Sequence, residues 1–224
     1  MSQQLKTKYS KLEIAKPGLA VDIDETLSWT IGFWVEVMQK KFGNPENLTI
    51  KEMIEKYRYT QNVPYWQSPE ALEWMANEIN SNQTQEDLPL IDGSSVYLNK
   101  IKQIIPVAAY ITVRPERVLE GTKSWLNRNN FPLAPVICRP NEVDHNDGNQ
   151  WKAAVLENLY PNVLGIIDDN SKLLSCLKKD YPGTVFLYDH HDNQGLPFAI
   201  ACQDWPAVYN EVKKKYSPNR VISG

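Results

Sequence analysis

The sequence predicts an α/β fold, a Rossmann-like doubly wound parallel sheet with a helical insertion after its first strand. Three observations predict it. Short apolar runs bounded by turn residues are continuous rather than alternating, as expected of strands buried on both faces. From about residue 105 onward these runs alternate with segments of helical periodicity. Between the first and second runs, residues 28–104 read almost entirely as helix.

The first strand is Leu19-Ala20-Val21, announced by Pro17-Gly18 and running straight into Asp22. In the insertion, Trp29, Phe33, Trp34, Val37 and Met38 share one helical face, and Gly43 stops that helix. Thr49-Ile50-Lys51-Glu52 is a capping-box pattern opening a second helix. Ser68-Pro69-Glu70 opens a third, with Pro69 in the favoured first position. A fourth begins at Asp92 or Ser94 and carries Val96, Leu98 and Ile101. Four more strands follow at Val107–Ile111, Pro135–Cys138, Val163–Ile167 and Thr184–Tyr188. Helices lie between them. The first opens at Pro115-Glu116-Arg117, the second carries Trp151, Ala154, Val155 and Leu159, and the third is capped by Asn170 and terminated by Gly183. The tail from Ser217 to Gly224 is expected to fray. A chain of 224 residues is long for one minimal domain and short for two full ones, so a core of residues 1–27 and 105–224 with a small cap of residues 28–104 fits its length.

Composition excludes several classes. A hydrophobic fraction of 42% supports a sizeable core and rules against a disordered chain. A net charge of -3 argues against a partner such as a long nucleic-acid backbone. Three cysteines with no CxxC pair point to reduced thiols in a cytoplasmic protein. Met1-Ser2-Gln3-Gln4-Leu5-Lys6 lacks the apolar core of a signal peptide, and no run approaches a membrane span.

Ligands of open α/β sheets bind at the carboxyl ends of the strands. The first strand ends in Asp22 and Asp24, the second in Thr112 and Arg114, and the fourth in Asp168 and Asp169, while Lys152 begins the helix feeding the fourth. Three acidic positions, a hydroxyl and a cation on one sheet edge suit phosphoryl transfer. An aspartate nucleophile splits one hard displacement into two, and carboxylates facing a phosphate dianion need Mg²⁺ to offset repulsion. Asp22 and Asp168 are the natural metal ligands, with the backbone carbonyl of Asp24 in reach; Asp24 is placed to act as general acid and then base. Thr112 is the candidate for a phosphoryl oxygen, and Lys152 for offsetting charge, although Lys172 or Arg139 could also supply that cation. No GxxxxGK[ST] loop or GxGxxG accompanies these residues, which excludes the corresponding ATPase and dinucleotide readings.

In order, Asp22-Ile23-Asp24-Glu25-Thr26, Thr112, Lys152 and Asp168-Asp169 resemble the four motifs of the haloacid dehalogenase superfamily of phosphohydrolases. The insertion lies where that superfamily places a C1-type cap, and length and cap position most resemble its 5'(3')-deoxyribonucleotidase branch. The resemblance implies Asp22 as nucleophile, Asp24 as acid/base, Mg²⁺ held by Asp22, Asp24 and Asp168, and Asp169 as an outer or water-mediated ligand. It implies a small phosphorylated metabolite as substrate, a nucleoside monophosphate or a sugar phosphate, with Thr26, Trp29 and Arg114 as candidate substrate contacts. A phosphotransferase or a binding protein without turnover would use the same residues. The other insertion aromatics, Phe33, Trp34, Tyr57, Tyr59, Tyr65, Trp66 and Trp74, read as cap core. His190-His191 read as a surface loop after an edge strand.

Overall fold

A computed structural model of the chain describes residues 14–217; the N-terminal residues examined for a leader and the tail from 218 lie outside that range. Six strands form one parallel sheet: β1 Gly18–Val21, β2 Val107–Pro115, β3 Val136–Arg139, β4 Val163–Asp168, β5 Thr184–Tyr188 and β6 Ala199–Cys202. Their order is β3-β2-β1-β4-β5-β6, so the chain winds outward from β1 in one direction and returns to start the other half at β4. The switch point between the halves is the β1/β4 pair, which leaves a crevice at the carboxyl ends of both strands.

Alternation along β1 sorts its side chains to two cores. Ala20 joins Ala108, Ile111, Trp151, Val155 and Leu173 on one face, under helices α7 (Gly148–Leu159) and α8 (Lys172–Cys176). Leu19 and Val21 join Tyr110, Trp125, Phe186, Trp205 and Val208 on the other, under α6 (Leu119–Arg128) and α9 (Trp205–Tyr216). Both faces being covered explains why the strands carry unbroken apolar runs.

The insertion contains α1 (Thr30–Phe42), α2 (Ile50–Tyr57), α3 (Pro69–Ile79), α4 (Asn82–Glu86) and α5 (Ser94–Ile101). The capping box of Thr49 and Glu52 forms in full, and Ser68 caps α3 by accepting from the Ala71 amide at 3.2 Å. Helices α1 to α3 enclose a core of their own, Trp34, Val35, Met38, Met53, Val63, Trp66, Ala71 and Met75, and Tyr57, Tyr65 and Trp74 pack on it. The segment 28–104 does not pack as one unit, however. Leu98 and Ile101 of α5 belong to the core under the sheet, beside α9, and the amide of Gly121 in α6 binds Asn82 Oδ1 at 2.7 Å. Helical periodicity marks an apolar face but not the surface that covers it, so α5 reads as part of the insertion while it packs with the sheet.

Two further features depart from the sequence reading. β6 pairs outside β5, so β5 is an interior strand. The helix after β4 is only Lys172–Cys176, with Ser171 at its N-cap position and Asn170 Oδ1 accepting the Lys172 amide at 3.1 Å. The three cysteines are free. Among the described residues no helix is long and apolar enough to cross a membrane.

Candidate active site

The polypeptide leaves β1 at Asp22, whose amide donates to the Ile167 carbonyl of β4 at 2.9 Å and so holds the loop at the switch point. The loop then folds back on itself: the amides of Leu27 and Ser28 both donate to the Ile23 carbonyl, and Glu25 adopts φ +56°. Thr26 is fully buried. Its hydroxyl lies 3.2 Å from Asp169 Oδ1 and accepts the Asp169 amide, and Trp205 Nε1 donates to its carbonyl at 3.2 Å. The loops after β1 and β4 and the start of α9 thereby lock together.

Lys152 rises from the first turns of α7 and is 1% exposed. Its Nζ stands 2.8 Å from Asp22 Oδ1 and 2.8 Å from Asp168 Oδ2. The cation beside Asp22 is therefore Lys152. Lys172 is exposed at the start of α8, and Arg139 spends its donors on the carbonyls of Val113, Pro140 and Val143. Carboxylate oxygens of Asp22, Asp168 and Asp169 come within 4.8 Å of one another. Asp22 Oδ1 is buried and faces the Lys152 ammonium. A donor set of three hard carboxylates gathered this closely fits a small divalent cation such as Mg²⁺.

Burial first, and then the charges of Asp168 and Asp24, push the Asp22 carboxyl up to about 7, against the pull of Lys152. Burial likewise raises Glu25 to about 7, although it accepts the Ile31 amide at 2.6 Å. Burial and the Asp168 and Asp22 charges raise Asp169 as well. Burial disfavours the charge of Lys152, but Asp168 and Asp22 overcome it and hold the ammonium above its ordinary range. A carboxyl raised in the folded state binds protons that the unfolded chain has released, so its contribution to stability falls as pH rises between the two values. The metal-free protein is accordingly expected to lose thermal stability from about pH 4 to about pH 7. Mg²⁺ should stabilise it more at the upper end of that range, where the cluster is ionised. Thermal scans with a chelator and with Mg²⁺ across the range check both signs.

Asp24 is turned to a different partner. Arg114 Nε donates to both of its carboxylate oxygens at 3.1 Å and Nη2 donates to Oδ1 at 2.7 Å. The hydroxyl of Thr30, first residue of α1, donates to Oδ1 at 2.7 Å and that of Ser28 at 3.4 Å. Burial works against the charged form of Asp24, but the Arg114 pair and the Thr30 bond hold its carboxyl below the usual range. Thr112 lies inside β2 and is fully buried, its hydroxyl accepting the Arg114 amide at 3.2 Å. Trp29 keeps 40% of its surface exposed immediately after the loop.

The structure thus brings Asp22, Lys152, Asp168, Asp169 and Thr26 together, and gathers Asp24, Arg114 and Thr112 beside them. Ser28, Thr30 and Glu25 were missed in the sequence; two hydroxyls flanking Trp29 so soon after an acidic loop were the available signal. His190, read from the sequence as part of a surface loop, is half-buried. Its Nε2 lies 2.8 Å from the Asp169 carbonyl, β5 being the neighbour of β4, and its amide donates to the Cys202 carbonyl of β6 at 3.3 Å.

No family model and no curated protein matches the sequence. Among solved structures, a protein described as a beta-phosphoglucomutase from Thermotoga maritima aligns with a TM-score of 0.56 at 18% identity, covering 88% of this chain and 99% of its own. A HAD-superfamily hydrolase from Ehrlichia chaffeensis aligns with a TM-score of 0.49 at 16% identity, covering 89% of this chain and 98% of its own. The first of these, with the strand order above, shows the fold alone: a doubly wound α/β domain on an all-parallel sheet.

Proposed function

We propose that this chain is a member of the haloacid dehalogenase superfamily and hydrolyses small phosphate monoesters through a phosphoryl-aspartate on Asp22 with Mg²⁺ bound beside it. The observation that carries the reading is the position of Asp22. It sits at the β1/β4 switch point, in contact with a fully buried lysine and within a three-carboxylate cluster.

Asp22 and Asp168 would hold the cation, with the Asp24 backbone carbonyl, and Asp169 would act directly or through water. When bound, the cation supplies positive charge that lets a phosphate dianion approach three carboxylates. In the first step an Asp22 oxygen attacks phosphorus, the ester P–O bond breaks, and Asp24 gives its proton to the leaving oxygen. Arrival of the substrate dianion favours protonation of Asp24 beforehand. In the second step Asp24 takes a proton from water, the water oxygen attacks phosphorus, and the bond to Asp22 breaks to release phosphate. Thr112 would donate to a phosphoryl oxygen, and Lys152 would hold Asp22 oriented and offset charge as it develops.

Nucleoside monophosphates are the leaving-group class to test first, because the exposed Trp29 offers a face to a planar base. Phosphate release should be measured with Mg²⁺ and with chelator on nucleoside monophosphates, sugar phosphates and p-nitrophenyl phosphate. The expected result is Mg²⁺-dependent release, fastest from a nucleotide. Release from sugar phosphates alone would overturn the nucleotide reading, and no release from any ester would overturn the hydrolase.

A further inference from the structure

We propose that Arg114 is a positioning residue for Asp24, and that it ties the orientation of that carboxylate to the first residue of the cap helix α1, instead of contacting substrate. The inference rests on the role given to Asp24 above. An arginine at a strand end beside a phosphate site would ordinarily be read as an anion ligand. The surroundings of Arg114 point elsewhere. It is 5% exposed, and each of its three side-chain nitrogens already donates within the protein. Nε takes both oxygens of Asp24, Nη2 takes Asp24 Oδ1 and Ser28 Oγ (3.1 Å), and Nη1 takes Thr122 Oγ1 (3.4 Å). The guanidinium also lies 5.8 Å from the ring centroid of Trp125, a fully buried residue of α6.

The arginine therefore has packed or bonded neighbours from β2, α6 and the loop after β1. Its cargo, Asp24 Oδ1, is shared with Thr30, whose hydroxyl opens α1 and also lies 2.7 Å from Ser28 Oγ. Four groups close a ring: Arg114 to Asp24, Asp24 to Thr30, Thr30 to Ser28, and Ser28 back to Arg114. A planar fork meeting a carboxylate through several donors fixes its orientation as one point charge would not. Since Thr30 belongs to α1, a shift of that helix relative to β2 must either carry the Asp24 carboxylate with it or break the ring.

The test uses the full-length protein with Mg²⁺ and two substrates, p-nitrophenyl phosphate and an alkyl phosphate whose leaving alcohol needs protonation. Arg114→Gln is expected to lower kcat for the alkyl ester by about 100-fold, the usual size of a general-acid contribution. KM should stay within about twofold, and the p-nitrophenyl ester should lose far less, because a nitrophenolate departs without a proton. In an Asp24→Asn background, Arg114→Gln should add nothing further, since both changes disable one unit. Thr30→Val, which keeps shape and removes one bond to Asp24, should show the same substrate pattern more weakly and guards against a folding defect in the arginine variant. A raised KM with kcat retained would make Arg114 a substrate ligand, and additive losses in the double variant would likewise overturn the proposal. Absence of turnover in the unmodified protein would overturn the hydrolase reading itself, which keeps the two failures distinct.

Discussion

Asp22→Asn is expected to abolish phosphate release by at least about four orders of magnitude while leaving the thermal midpoint of the metal-free protein unchanged or higher. An amide oxygen is too weak a nucleophile to open a phosphate ester, and loss of a nucleophile typically removes most of the rate enhancement at once. Stability moves the other way because Asp22 is a strained tenant of its site. It is 5% exposed, it lies among like charges, and its carboxyl is pushed up to about 7 chiefly by burial. The neutral amide avoids that desolvation, and Lys152 keeps Asp168 at 2.8 Å as its counter-ion. Activity and midpoint measured on the same preparation separate these effects. A variant that kept appreciable turnover would remove Asp22 from the role of nucleophile.

Lys152→Met is expected to be the most destabilising single change at the site. Its ammonium is the shared counter-charge of two buried carboxylates, Asp22 after β1 and Asp168 at the end of β4, and removing one partner of a buried ion pair typically costs about 3–5 kcal/mol because uncompensated charge is left behind. For a chain of this size that corresponds to a midpoint lowered by roughly 10 °C. The deficit should shrink at acid pH, where Asp22 takes up a proton, and on adding Mg²⁺, which replaces the lost positive charge. Lys178→Met is the control, since the Lys178–Glu157 pair has a lysine side chain 72% exposed and exposed pairs contribute at most about 1 kcal/mol. Equal losses in the two variants, or no response to Mg²⁺, would count against the charge balance described.

Where the sequence was legible and where it was not follows from what each signal depends on. The five strands read from the sequence announce themselves as apolar runs between turn residues because both sheet faces are covered, as in Val163–Asp168 and Thr184–Tyr188. β6 escaped notice: Ala199–Cys202 is apolar throughout, but three of its four residues are Ala or Cys, which carry little β-branched or aromatic signal. Overlooking it also made β5 look like an edge. The acidic residues of the site were readable because each stands at the end of an apolar run. Partnership was not. Arg114 and Asp24 are 90 positions apart, and nothing local in either segment says that an arginine after β2 will grip a carboxylate after β1. The same blindness placed α5 with the insertion, since Val96, Leu98 and Ile101 define a face without naming its neighbour.

The bond from Trp205 to the carbonyl of Thr26 joins positions 179 apart in the chain. During synthesis the loop bearing Asp22 and Asp24 emerges well before the indole that fastens it, which arrives after β6 has been made. Contacts of such long sequence separation form late, because the intervening chain must first be ordered. A ribosome-bound chain that stops short of Trp205 would already possess every acidic residue of the site and still lack the indole that fastens their loop. Helix α9 thus fastens the site from a distance: the loop carrying Asp22 and Asp24 gains its indole bond only once the chain through Trp205 has been made.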